Sequence, residues 1–128
     1  MTDRAKKPME QVIRENGRYP PQAYSFLQEG MQRATREVYG EKAPPGHVSG
    51  AEICNALKEL AIQQWGMLAR TVLAKWNIHA TIDFGNMVYL LIEHGHFGKD
   101  DEDSIDHFRD VYDFAEAFGA SEDFEVSE

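Results

Sequence analysis

Apolar residues recur at helical spacing along most of this chain. Met9, Val12 and Ile13 fall at i, i+3, i+4 behind Pro8, which suits a first helical position, and Gly17 stops the run. Pro20 and Pro21 force an extended approach and then open a second helix. Ala23, Tyr24, Leu27, Met31, Ala34 and Val38 mark one face of it, with Phe26 beside them, and Gly40 sits where a C-terminal cap belongs. The stretch 41–48, with Pro-Pro-Gly, reads as a loop.

Ser49-Gly50-Ala51-Glu52 is a capping box: a Ser hydroxyl and a Glu carboxylate three residues apart satisfy each other's backbone N–H. The 3.6-residue period is clear behind it, in Ile53, Leu57, Leu60, Ala61 and Trp65. Gly66 interrupts, and Met67, Leu68, Val72 and Trp76 are expected to continue the apolar stripe, with Trp65 and Trp76 as core anchors. Asn77 tolerates the left-handed backbone that ends a helix. Thr81 is the expected N-cap of the next helix, with Asp83 favourable in its first turn. Phe84, Met87, Val88, Leu91 and Ile92 face the core, and Gly95 ends the run. Beyond it, 96–99 reads as a short strand. Asp103 or Ser104 caps one turn, 109–114 is a short strand or irregular, and 115–118 is at most a short helix.

These elements predict a mainly α fold of about five helices in one compact domain over residues 1–128. One small C-terminal β-hairpin is an option, which would give 49–114 a winged-helix-like order. Residues 1–7 and 120–128 are expected to be disordered.

Charge changes the picture more than composition does. Residues 1–76 carry +3 and residues 77–128 carry −12, together the −9 of the whole chain. The acidic half also holds the run Met87-Val88-Tyr89-Leu90-Leu91-Ile92, so it is a folded anionic surface rather than a plain acidic tail. Such a surface repels nucleic acid and anionic lipid and favours a basic or amphipathic protein partner. The helix in the recognition position of a winged helix, 82–94, contains Asp83 and Glu93 and no Lys or Arg, which counts against DNA reading. No run of 18 apolar residues and no secretory signal appear, so a cytoplasmic protein is expected. The single Cys54 lies on an apolar stripe and reads as a buried, inert thiol.

The residues Arg18-Tyr19-Pro20-Pro21-Gln22-Ala23-Tyr24-Ser25-Phe26-Leu27, His47–Glu52, Trp65–Leu73, Asp83–Tyr89 and Asp106–Phe114 occur in this order. In these motifs the chain resembles a small family of uncharacterised bacterial proteins, found mainly in planctomycetes and verrucomicrobia. The resemblance spans roughly residues 18–118 and departs at Asn77, where glycine is expected. It implies no activity, because none is known for the family.

One cluster carries candidate chemistry. His94, His96, Asp100, Asp103 and His107, with further carboxylates among them, crowd into 14 residues. Histidine with carboxylate suits Zn²⁺ or Fe²⁺, and oxygen-rich loops suit Ca²⁺ or Mg²⁺. The spacing matches neither an EF-hand nor an H-E-x-x-H helix, so a solvated acidic turn is the simpler reading. No nucleophile elbow, phosphate loop or cofactor motif is present, and no cofactor is expected. Two functions follow. The first is a non-enzymatic interaction module whose acidic half meets a basic or amphipathic partner, with homo-oligomerisation open to it. The alternative is a divalent-metal-dependent enzyme or metal-binding protein built on His94–His107.

Overall fold

The computed structural model describes residues 6–40, 48–99 and 103–119. The terminal segments 1–5 and 120–128, expected to be disordered, lie outside the described residues, as do 41–47 and 100–102. Six α-helices follow one another: α1 (Met9–Asn16), α2 (Pro21–Tyr39), α3 (Gly50–Trp65), α4 (Ala69–Lys75), α5 (Thr81–Glu93) and α6 (Phe114–Phe118). Single 3₁₀ turns occupy Gly66–Leu68 and Ile105–Phe108. The fold is mainly α.

The helix ends follow from local chemistry. Gly17 takes φ 70° and donates its N–H to Ile13 O at 3.1 Å, which closes α1. At the start of α3, Glu52 N donates to Ser49 Oγ at 3.1 Å and Ser49 N donates to Glu52 Oε1 at 2.8 Å, the complete capping box. Ser49→Ala is therefore expected to cost ~1 kcal/mol, read as a lowered urea midpoint at unchanged slope. Asn77, at φ 67°, stops α4: its N–H bonds Ala74 O and the Ile78 N–H reaches back to Leu73 O, each at 2.9 Å.

α3 runs through the middle of the molecule and meets α2, α4, α5 and α6. Leu27, Leu57, Leu73, Ile78, Phe84, Met87 and Leu91 are fully buried around it, and Tyr19 and Tyr24 are buried as well. α2 and α3 approach most closely at Gly30, where an added Cβ would stand 2.1 Å from Leu57 Cδ2. Since Leu57 is fully buried, it has no free space to retreat into.

Three expectations change. Met67 and Leu68 do not continue the core stripe but are 65% and 58% exposed. Gly66, at φ 54° and ψ −124°, breaks the helical phase just before them. Thr81 is the first residue of α5 rather than its cap: Ala80 holds the cap position without a side-chain bond, and Asp83 in the first turn reaches back to accept from the His79 and Ala80 N–H groups at 2.8 and 3.1 Å. The hairpin option is not taken up, since no strand forms among the described residues. Gly95 turns the chain at φ 82°, and His96 N then donates back to Leu91 O at 2.8 Å. Further on, Ser104 Oγ caps a 3₁₀ turn by accepting from Asp106 N at 3.1 Å. These donors are used locally and leave no ladder to pair.

Candidate functional site

A cleft of about 320 Å³ opens where α2, α3 and α5 meet the segment after α5. Met31 and Thr35 of α2 form one wall, and Val48, Gly50 and Ile53 at the start of α3 another. Val88, Tyr89 and Ile92 come from α5. Phe97, Gly98 and Phe108 close the apolar part, and His96, Asp103, Ser104 and His107 supply the polar edge.

Small residues and one hydroxyl bring this far wall into place. A Cβ on Gly50 would stand 3.0 Å from the Phe108 ring and from His107 O, and one on Gly85 would stand 2.8 Å from Phe108 Cβ. Phe108 therefore lies directly against the backbones of α3 and α5. Thr81 Oγ1 donates to Phe108 O at 2.6 Å and accepts from Val111 N at 3.2 Å, so the segment is fastened on both sides of the ring. Tyr89 packs edge-on to Phe108, and burial together with the Asp103 carboxylate holds its hydroxyl above the ordinary tyrosine range.

Of the five candidate metal ligands, three come to the same cleft. His96, Asp103 and His107 line the cleft, whereas His94 ends α5 outside it, and Asp100 lies outside the described residues. The His96 Nε2 sits 2.7 Å from Lys7 O. A carbonyl only accepts, so Nε2 carries a proton and is directed at the N-terminal segment. Among the described residues no three His, Cys, Asp or Glu side chains converge to hold an ion.

Comparison with known proteins finds no match for this chain. No family model fits it, no curated protein is recognisably similar, and no solved structure matches it. The site must be read from its own chemistry.

A second polar centre lies away from the cleft. Tyr19 donates its hydroxyl proton to Asp83 Oδ1 at 2.5 Å, and Asn86 Nδ2 donates to the same Tyr19 oxygen at 3.2 Å. The other carboxylate oxygen accepts from the His79 and Ala80 N–H groups just ahead of α5, and the Arg18 guanidinium stands 3.9 Å from Oδ1. Burial and the bond to Asp83 push the Tyr19 hydroxyl up to about 12, so it stays protonated at neutral pH. This arrangement satisfies its own donors and acceptors and fastens the segment before α2 to α5. Cys54 is likewise no nucleophile, since burial pushes its thiol up to about 12.

Sequence reading singled out the polar edge of the cleft and missed its apolar floor. Met31, Val48, Val88 and Phe108 are distant in sequence, and each reads singly as ordinary core. Gly50 gave the one local signal: a residue without a side chain in a first helical turn leaves room for something to approach.

Proposed function

We propose that this chain is a protein-interaction module whose cleft takes an apolar anchor presented by a basic or amphipathic partner. One observation carries the reading: a cleft of about 320 Å³, floored by apolar side chains of α2, α3 and α5, is closed on its far side by the segment after α5, which belongs to the half of the sequence that carries −12 and brings Asp103 to the polar edge. Glu93, Asp106, Asp110, Asp113 and Glu116 are exposed in the same half, against Lys99 and Arg109. Arg109 is spent on Asp106 at 2.6 Å. An apolar hollow on a chain of this charge suits a basic amphipathic helix, whose apolar side fills the hollow while its cations are drawn to the acidic half. The same field disfavours nucleic acid and anionic membrane.

Blocking the cleft tests this. A Cβ on Gly98 meets nothing within 4 Å, so Gly98→Leu adds bulk at the cleft without displacing a neighbour. Labelled basic amphipathic helices with leucine or phenylalanine anchors are expected to bind wild type in fluorescence anisotropy. Their affinity should fall as salt rises, and in Gly98→Leu it should drop by about tenfold or more, the equivalent of ~1.4 kcal/mol. Equal binding by both proteins, or none to wild type, would remove the reading.

A further inference from the structure

The polar groups that the cleft leaves open to a ligand are neutral acceptors. Most of its polar lining is already spent. His96 Nε2 donates to Lys7 O at 2.7 Å, Ser104 Oγ accepts from Asp106 N at 3.1 Å, and Thr35 Oγ1 donates to Met31 O at 3.0 Å. Asp103, the one carboxylate of the lining, also has a partner. Lys6 and Lys7 lie beside the same edge, with Lys6 Nζ on Gly95 O at 2.9 Å, so this edge does not select a cation. Tyr89 and His107 remain. Among the described residues neither the Tyr89 hydroxyl nor the His107 imidazole takes part in a hydrogen bond or ion pair. Each can accept from a neutral N–H, through a hydroxyl lone pair or an unprotonated ring nitrogen.

The apolar part of the cleft is built largely of rings. Tyr89 packs edge-on to Phe108 with centroids 6.4 Å apart, Phe97 closes the same part, and Met31 adds a thioether. Rings and sulfur both pair well with a further aromatic ring. A cavity of about 150 Å³ holds benzene, so the cleft of about 320 Å³ exceeds what a leucine or one phenyl ring fills. Space left empty beside a small anchor forfeits its contacts.

We infer that the anchor taken by the cleft is a tryptophan side chain, its indole seated between Tyr89, Phe97 and Phe108 and its N–H given to the polar edge at Tyr89 or His107. The inference rests on the reading of the cleft as a seat for an apolar anchor, and it says which anchor. The indole combines a large apolar body with one donor and no acceptor. Leucine and phenylalanine bring no donor, and a lysine or arginine tip brings a charge that the open groups do not call for. Tryptophan is also among the side chains enriched at the centre of protein contacts.

One peptide series against the intact chain tests it. A labelled basic amphipathic helix carries Trp, benzothienylalanine, Phe, Leu or Ala at a single anchor position, so charge is constant throughout. Benzothienylalanine keeps the bicyclic shape and puts sulfur in place of the N–H. In fluorescence anisotropy the Trp peptide is expected to bind about tenfold more tightly than the Leu or Phe peptide, and several-fold more tightly than the benzothienylalanine peptide. The double variant Tyr89→Phe with His107→Ala keeps the ring at position 89 and removes both acceptors. It should erase the margin between Trp and benzothienylalanine while binding the Leu peptide as wild type does. A Leu or Phe peptide that binds wild type as tightly as the Trp peptide would overturn the inference and leave the reading of the cleft standing. So would a margin over benzothienylalanine that survives in the double variant. If no peptide of the series binds wild type, or if the Ala peptide binds as tightly as the rest, the reading of the cleft falls and this inference with it.

Discussion

Replacing Asp83 with alanine is expected to cost about 3–5 kcal/mol, a large part of the ~5–15 kcal/mol that holds a domain together. The residue is 8% exposed and its two carboxylate oxygens accept from Tyr19 Oη, His79 N and Ala80 N, with the Arg18 guanidinium nearby. Alanine leaves the hydroxyl proton of the 3%-exposed Tyr19 without an acceptor, the His79 and Ala80 N–H groups without theirs, and the Arg18 side chain without its carboxylate. Removing one partner of a buried polar group costs the full desolvation of what remains, which exceeds the net worth of the bonds themselves. Tyr19→Phe removes two bonds, the one to Asp83 and the one from Asn86, but leaves the Asp83 carboxylate its two backbone donors, and should cost only ~1–2 kcal/mol. Urea denaturation of the two variants measures the contrast. A cost below about 1 kcal/mol for Asp83→Ala would show that α5 and the segment before α2 are held together by something other than this carboxylate.

The helices were legible because their signals are local. The capping box at Ser49, the left-handed stop at Asn77 and the period from Ile53 to Trp65 each lie within a few residues, and all three appear as expected. What escaped depends on partners far along the chain. Thr81 reads as a cap by composition, yet its hydroxyl is spent on Phe108, 27 residues later. Gly30 and Gly85 carry no local signal of their role, which is to admit Leu57 and Phe108. The His and Asp cluster is compact in sequence but divided in space. α5 ends at Glu93 and leaves His94 outside the cleft, while the turn at Ile105–Phe108 carries His107 to its edge. The cleft needs residues from 31 to 108, so only its polar edge was visible beforehand. Met67 and Leu68 inverted the usual rule, being apolar and exposed because one glycine shifts the helical phase.

Alkali is expected to unfold this domain cooperatively between about pH 10 and 12. Burial pushes the Tyr24 hydroxyl up to about 12, and burial with the bond to Asp83 does the same for Tyr19, from an ordinary value of 10.0. Burial raises the Cys54 thiol from 9.0 to about 12, and Tyr112, which donates to Cys54 O at 2.6 Å, is also pushed up. In each case the folded form holds its proton to higher pH than the unfolded chain does. Stability from these groups is therefore complete below pH 9, starts to fall as Cys54 and then the tyrosines ionise in the unfolded chain, and is gone above about 12. At about 1.4 kcal/mol per pH unit, Tyr19 and Tyr24 each withdraw on the order of 2–3 kcal/mol, and Cys54 somewhat more. Their sum reaches the whole stability of an ordinary domain. Helical circular dichroism and tyrosinate absorbance should change together in one step, because Tyr19 and Tyr24 reach hydroxide only when the core opens. Tyr24→Phe keeps the ring and removes one of the titrating groups, so its transition should move to higher pH. Tyrosinate absorbance for all five tyrosines completed near pH 10, with the helical signal intact, would show that Tyr19 and Tyr24 are open to solvent, and would undo the burial assigned to the start of α2.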